Sequence, residues 1–344
     1  MKYLIYRNDG IGDLITITPF LVTLKNHDEN SHIHLICSDR NHEYARLLKK
    51  NNLIDEISLS VDKGKKILDF FKLTILVFRV KPDYSIVFKS SNTNFLSALL
   101  YIKSKIIGIS YLNDVYKQTP SKFLQYFFFK KVTVDCRNNF KNSNHIRMVD
   151  HYKELYEKSF INLKNIRYKE NYYLPKIEKF NEIKQFNIET LKLKKTILVH
   201  IDEKWKRYNF DFKEVYLLIE NLKLIYENII ITSGVEYNEI NLSLFEKYNI
   251  KPNSKFVKKT DKLIFFNQLK LEDLIKLISI VETIITSEGG VSHIAATYDK
   301  NLISLIEKNK LNFLDKWKPN ISNYFHLVVE KNTLTNDVIN YLKI

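Results

Sequence analysis

The sequence predicts an α/β protein built from two doubly wound, parallel-sheet halves, and three observations carry that prediction. At 344 residues the chain exceeds what one hydrophobic core comfortably serves. Apolar, β-prone runs alternate with helical patterns, and the alternation starts afresh after a stretch rich in Lys and Asn. The chain has only 7 glycines, and four of them (Gly10, Gly12, Gly289 and Gly290) fall in two short motifs where a strand-like run passes through a glycine turn into a helix. Such junctions are where doubly wound sheets gather ligands, so both halves read as Rossmann-like, facing one another across a cleft.

The first half reads as strands at Lys2–Tyr6, His32–Cys37, Glu56–Leu59, Tyr84–Phe88 and Lys105–Ile109. Helical patterns lie between them at Leu14–Asn26, Asn41–Asn51, Lys65–Val80 and Asn94–Ile102. Pro19 falls inside the first helical pattern, where it either bends the helix or marks a second start. A helix over Asn144–Leu163 ends this half, and the Lys/Asn-rich residues Asn165–Leu193 form the linker. The second half predicts strands at Thr196–His200, Asn228–Thr232, Thr283–Thr286 and Leu302–Ile306. Helices are expected at Phe212–Tyr226, Asn238–Tyr248 and Leu271–Ile280. Domains are accordingly expected at residues 1–170 and 171–325, with a final helix in 326–344 returning to the first domain.

Composition narrows the class. A hydrophobic content of 45% with 27% charged residues is ordinary for a globular protein. Two cysteines, Cys37 and Cys136, are too few for a disulfide framework or a cysteine zinc site, and reduced thiols in a cytoplasmic protein are expected. The first residues lack the pattern of a secretory signal. The most apolar run, Ile67–Val80, is short and broken by Asp69, Lys72 and Arg79, so it reads as an amphipathic helix. The net charge of +15 suits an anionic substrate, an anionic membrane surface or nucleic acid. It equally suits a genome that favours Lys, Asn and Ile codons.

Four segments carry candidate chemistry. In Arg7-Asn-Asp-Gly-Ile-Gly-Asp13, the carboxylate of Asp13 stands at a strand end, where it can take a proton from a hydroxyl or simply bond helix N–H groups. In Thr286-Ser-Glu-Gly-Gly-Val-Ser-His293, Gly289 and Gly290 offer backbone N–H groups to a diphosphate, and Glu288 can hold a sugar hydroxyl. His293 reads either as a phosphate neighbour or as a satisfied histidine. In Asp202-Glu-Lys-Trp-Lys-Arg-Tyr208 the cations suit a phosphate, and Glu236 or Glu239 further on can bond a ribose. Lys63, Lys65 and Lys66, with Lys117, Lys122, Lys130 and Lys131 around the aromatic run Phe123–Phe129, form a basic element. Asp-x-Asp, Walker A, Gly-x-Gly-x-x-Gly and Gly-x-Ser-x-Gly motifs are missing, which disfavours metal-dependent sugar transferases, kinases, dehydrogenases and hydrolases.

In their order, Arg7–Pro19, Asn144–Tyr152, Lys206–Tyr208 and Ser287–Ala296 resemble the bacterial heptosyltransferases, glycosyltransferase family 9. The resemblance implies a GT-B fold and an inverting, metal-independent transfer of a heptose from a nucleotide-sugar such as ADP-heptose to a lipopolysaccharide core hydroxyl, with no cofactor. Asp13 would be the general base and Lys206 would offset diphosphate charge beside Gly289 and Gly290. Glu288 and Glu239 (or Glu236) would hold hydroxyls, and His293 would lie against the phosphates. Gly10 and Gly12 would shape the turn, while Lys63, Lys65 and Lys66 would meet an anionic lipid-linked acceptor at the cytoplasmic face of the inner membrane. Members usually carry Asp-Thr/Ser-Gly where this chain has Glu288-Gly289-Gly290, a departure that bears on sugar and nucleotide. Two other readings compete: a GT-B-type enzyme with another donor and a capsule or protein acceptor, or an epimerase; and a basic nucleic-acid-binding protein, which leaves Asp13 and the Gly-Gly turn unexplained.

Overall fold

The computed structural model describes residues 1–60, 66–110, 134–135, 147–160, 167–177, 195–208, 210–251, 256–258, 262–319, 321–330 and 333–342. The chain divides into two compact units, residues 1–175 with 315–318, and residues 176–314 with 319–344.

The first unit holds a six-stranded sheet of β1 (Lys2–Tyr6), β2 (His32–Cys37), β3 (Glu56–Leu59), β4 (Tyr84–Val87), β5 (Lys105–Ser110) and β6 (Val134–Asp135). Their order is β3-β2-β1-β4-β5-β6, and every pair is parallel. Tyr3 to Tyr6 are wholly buried, as a central parallel strand covered on both faces requires. The strand order reverses between β1 and β4, so the crevice for a ligand lies beyond the carboxyl ends of those two strands.

After β1 the helical pattern breaks in two, α1 (Ile11–Thr16) and α2 (Thr18–His27), with Ile17 ending one and starting the other. Pro19, at the start of α2, has no N–H to continue the first ladder, and the second-start reading of that proline holds. The helices α3 (His42–Lys50), α4 (Lys66–Val80), α5 (Asn92–Leu99) and α6 (Met148–Ser159) complete the unit. Ser91 caps α5 by accepting from Asn94 N at 3.1 Å. Phe20 of α2 meets Phe88, Tyr156 and Phe160 edge-on at centroid distances of 4.9, 5.6 and 6.3 Å, which joins α2 and α6 to the sheet. The first part of the expected linker lies along this unit, with Lys169 N and Tyr173 N each donating at 3.0 Å to Thr23 and Thr18. Residues 178–194 fall outside the described residues.

The second unit holds seven strands, β7 (Thr196–Ile201), β8 (Asn228–Ser233), β9 (Phe256–Lys258), β10 (Leu263–Phe266), β11 (Thr283–Ser287), β12 (Asn301–Ile306) and β13 (Tyr324–Val328). The order is β13-β12-β11-β7-β8-β10-β9, parallel except for β9 against β10. Here the reversal falls between β7 and β11. The helices are α7 (Phe212–Ile225), α8 (Glu239–Lys247), α9 (Leu271–Ile280), α10 (Gly290–Thr297), α11 (Leu311–Trp317), of which residues from Asp315 on are counted with the first unit, and α12 (Leu334–Leu342). Asp211 and Asn238 cap α7 and α8 by accepting from Glu214 N and Asn241 N at 2.8 and 2.9 Å. The strands β6, β9, β10 and β13 and the helix α11 add to the elements read from the sequence.

α12 packs on α7, where Leu334 N donates to Glu214 Oε1 at 3.0 Å and Thr335 Oγ1 to the Glu214 carbonyl at 3.1 Å. Its apolar stripe, Leu334, Val338 and Ile339, belongs to the core of the second unit, and Tyr341 stacks on Phe325 at 4.0 Å. Burying that stripe beside α7 is what fixes the helix within the second unit.

Candidate functional site

Each unit gathers polar groups at its own switch point. In the first, the turn after β1 is organised by a buried arginine. Arg7 is fully buried, and its guanidinium is engaged on every side. Nε donates to the Asp13 carbonyl at 2.8 Å and Nη1 to the Phe88 carbonyl at 3.3 Å. Nη2 donates to Asp13 Oδ1 at 3.3 Å and to the Tyr152 hydroxyl at 3.1 Å, while Nη1 lies 3.2 Å from Asp9 Oδ2. One cation thus serves two carboxylates.

Asp13 sits in the first turn of α1, not ahead of it. Its Oδ2 accepts from Gly10 N at 3.1 Å, so a single carboxylate caps the turn, is aimed by Arg7 and still leaves the side chain 32% exposed. Gly10 has room for this closure because an added Cβ would meet Asp13 Oδ2 at 3.1 Å. Gly12 is buried within α1. The three residues Gly10, Gly12 and Asp13 are brought together as the sequence spacing suggests.

Around them stands a frame of amides. Asn41 Nδ2 donates to the Arg7 carbonyl at 2.7 Å, Ser38 Oγ to the Asp9 carbonyl at 2.6 Å, and Asn94 Nδ2 to Asn8 Oδ1 at 3.0 Å. Lys89, at the end of β4, donates to the Asn8 carbonyl at 2.6 Å. Asp9 is the odd member: its Oδ1 is buried without a hydrogen-bond partner, and burial pushes its pKa up to about 7 against the opposing pull of Arg7. Arg7, Asp9 and Lys89 were missed as functional groups. Their signal in the sequence was only the charge density of Arg7-Asn-Asp9, whose meaning depends on what β4 and α6 place beside it.

In the second unit, the turn after β11 carries Glu288, Gly289 and Gly290 into α10. Gly289 has φ +144°, a conformation that L side chains rarely adopt, and a Cβ there would collide with the Lys204 ammonium. Lys204 Nζ donates to the Glu288 carbonyl and lies 4.0 Å from Glu288 Oε1. Lys310, beyond β12, donates to the same Oε1 at 3.1 Å. Burial raises the Glu288 pKa, but Lys204 and Lys310 outweigh it and hold the carboxyl below its ordinary value. The amino end of α10, with its free N–H groups, therefore has one cation lying over it and a second on the adjoining carboxylate.

Asp202 ties this region together. Its Oδ1 accepts from Lys204 N at 3.1 Å, Oδ2 accepts from Ser287 Oγ, and its carbonyl accepts from Asn238 Nδ2 at 2.8 Å. The loops after β7, β8 and β11 are thus fixed to one residue. His293 lies in α10 and is buried, with 7% of its surface exposed.

The sequence reading placed Lys206 at the Gly-Gly turn. The structure instead pairs Lys206 with Glu239 at 3.2 Å on an exposed surface, and Lys204 occupies the turn. The reason lies in the 3₁₀ turn Glu203–Tyr208: Trp205 and Tyr208, three apart, both point into the core, which leaves Lys204 and Lys206 on different sides. Glu236 is exposed in the turn before α8. Lys63 and Lys65 lie outside the described residues, as do Lys117, Lys122, Lys130 and Lys131. Lys66 begins α4, but its side chain falls outside them too. Among the described residues, no group of three His, Cys, Asp or Glu side chains is placed to hold a metal ion. No helix among them is long and apolar enough to cross a membrane.

The sequence model of glycosyltransferase family 9 (heptosyltransferase) matches residues 239–336, which include the Glu288-Gly289-Gly290 turn. No curated protein matches the chain. Among solved structures, a family 9 glycosyl transferase from Veillonella parvula superposes with a TM-score of 0.68 at 14% identity, covering 99% of this chain and 89% of its own. ADP-heptose lipopolysaccharide heptosyltransferase II of E. coli gives 0.67 at 14% identity, with 100% and 98% covered. The E. coli heptosyltransferase WaaC, solved with ADP, gives 0.65 at 12% identity, with 100% and 99% covered. Residues 239–336 match the family 9 glycosyltransferase model, and the likeness to the solved structures extends a GT-B fold over the whole chain.

Proposed function

We propose that the protein transfers a heptose, or a closely related sugar, from a nucleotide diphosphate donor such as ADP-heptose to a hydroxyl of an anionic, lipid-linked saccharide of the lipopolysaccharide core type. The observation that carries this reading is the Lys204 ammonium over Gly289 at the start of α10, at the strand-order reversal of the second unit. That is a cation and a row of N–H donors aimed at one spot, the chemistry of a diphosphate. WaaC bound to ADP and to ADP-2-deoxy-2-fluoro heptose supports a donor of this class.

In this reading Asp13 removes the proton of the acceptor hydroxyl. The oxygen attacks the anomeric carbon from the face opposite the diphosphate, the bond from that carbon to the diphosphate oxygen breaks, and configuration inverts. The nucleoside diphosphate departs with the bonding pair. Lys204, aided by the N–H groups of Gly289 and Gly290, offsets its charge without a metal. Glu288, held ionised by Lys204 and Lys310, accepts hydrogen bonds from donor hydroxyls, and Glu239 serves the nucleoside with Lys206 beside it. The acceptor's own charge and the protein's +15 attract one another, and the protein works at the cytoplasmic face of the inner membrane.

Calorimetric titration with ADP, paired with chromatographic detection of ADP released from ADP-heptose, tests this. Lys204→Ala is expected to weaken ADP binding ~10–100-fold, the range of one charge-assisted hydrogen bond, and Lys206→Ala by less than about fourfold. Asp13→Ala is expected to bind ADP as the wild type does and to lose transfer. Preference for UDP or GDP over ADP would refute the donor assignment, and transfer surviving in Asp13→Ala would refute the base. Transfer lost on chelation and restored by a divalent cation would refute metal independence.

A further inference from the structure

The helix α4 is apolar on two sides. Its inner side, Leu73 and Val77, packs into the core formed by Leu4, Tyr6, Ile36, Val87 and Phe95. Its outer side presents Ile67, Leu68, Phe71, Ile75 and Phe78, which remain 77%, 57%, 58%, 69% and 49% exposed. At 3.6 residues per turn these five fall within an arc of about 100°, so they form one stripe and not a scatter. The stripe continues onto the turn after α5: Phe78 meets Tyr101 edge-on at 5.9 Å, and the flanking Leu100 and Ile102 are 45% and 85% exposed. Seven of the thirteen large exposed hydrophobic side chains among the described residues therefore share this one surface. A surface helix that serves only its own core puts polar residues on the outer side, and a concentrated apolar patch marks a contact surface.

The charges around the stripe select what it contacts. Lys72 and Arg79 stand next to it around the helix, Lys81 follows, and Lys103 and Lys105 lie just past Ile102; all five are exposed. Asp69, the acid of α4, is on the far side and buried at 9% exposure. Glu56, which shares a cavity of about 550 Å³ with Arg79, is paired with His32 and His34. Fifteen residues of helix reach about 22 Å, short of a bilayer's hydrocarbon core, so the helix suits lying in the interface plane.

We propose that the outer stripe of α4, with Leu100 and Ile102, docks the protein on an anionic phospholipid surface. The apolar side chains enter the acyl boundary while Lys72, Arg79, Lys81, Lys103 and Lys105 face the headgroups. This deepens the assignment of a lipid-linked acceptor and rests on it, since an enzyme that modifies a saccharide held in a membrane works on that surface.

Co-sedimentation of the full chain with vesicles of phosphatidylcholine alone, and of equal parts phosphatidylcholine and phosphatidylglycerol, tests the proposal. Wild type is expected to pellet with the anionic vesicles at least tenfold more than with the neutral ones. The double variant Phe71→Ser/Ile75→Ser should lose that binding tenfold or more while keeping its circular dichroism spectrum. Leu224→Ser, an exposed apolar site on α7, should bind as wild type. Failure of wild type to bind vesicles, or unchanged binding in the double variant, would overturn the proposal. So would a concentration-dependent oligomer that the double variant abolishes without any vesicle binding, which would give the stripe to a second copy of the chain. ADP titration of the same samples separates the two readings. ADP binding without vesicle binding refutes docking alone, and vesicle binding without nucleotide binding refutes the transferase assignment.

Discussion

Replacing Asp9 by Asn probes the charge arrangement that holds the proposed base. Arg7 brings one positive charge to two carboxylates, 3.2 Å from Asp9 and 3.3 Å from Asp13. Burial raises the Asp9 pKa from 3.8 to about 7, Arg7 and Lys89 lowering it and Asp13 raising it further. In the folded protein Asp9 therefore binds a proton across a range where the unfolded chain has released it, and linkage makes stability fall as pH rises through that range. The cost is nearly absent below 3.8 and complete above about 7. At about 1.4 kcal/mol per pH unit it reaches an upper limit near 4 kcal/mol. Asn has no proton to release, so Asp9→Asn is expected to gain stability relative to wild type as pH rises from 4 to 8, by about 3 kcal/mol. For a unit of this size that is roughly 6–12 °C in melting temperature. Differential scanning fluorimetry of both proteins at pH 4.5, 6 and 8 measures it. A difference that stays flat with pH, or that turns against Asn at pH 8, would show that Asp9 is already ionised at acid pH and would refute the shared-cation account.

Other expectations follow from single contacts. Gly289→Ala forces an L residue into φ +144° against the Lys204 ammonium; a loss of about 1–3 kcal/mol in urea unfolding is expected, together with weaker ADP binding by calorimetry. Phe20→Ala removes the ring that joins β4 and α6, and should cost about 3–5 kcal/mol, read from the urea midpoint of the first unit's transition. Asp202→Ala leaves Lys204 N and Ser287 Oγ without their acceptor, so ADP affinity should fall along with stability, whereas Glu236→Ala in the exposed turn before α8 should alter stability by less than about 0.5 kcal/mol. Cys37 is buried and its thiol is pushed up to about 12, so in the native protein it should react with a thiol reagent only as fast as the unit opens.

Local pattern was enough for much of the architecture. The segments 2–6 and 32–37 became strands with those bounds, because a parallel strand buried on both faces is apolar through most of its length and stops where polar turn residues begin, while 56–59, an edge strand, shows only the alternation Glu56-Ile57-Ser58-Leu59. Gly10, Asp13, Gly289 and Gly290 were legible for the same reason: a strand that turns sharply into a helix leaves few choices of residue at the turn. The short strands β9 and β13 were not, since Phe256–Lys258 and Tyr324–Val328 gain their hydrogen bonds only from neighbours brought in from elsewhere in the chain. The final helix announced its apolar stripe but not its partner; α7 decided that. Lys204 and Lys206 differ by two positions and have the same chemistry, and only the inward turn of Trp205 and Tyr208 gave one of them to the glycines and the other to Glu239. By itself the sequence determined that both sheets end in glycine turns opening into helices, because backbone conformation is written in adjacent residues. Which cation faces which turn, and that Arg7 joins Asp9 to Asp13, was decided by tertiary structure, because electrostatic partners are chosen by distance in space and not along the chain.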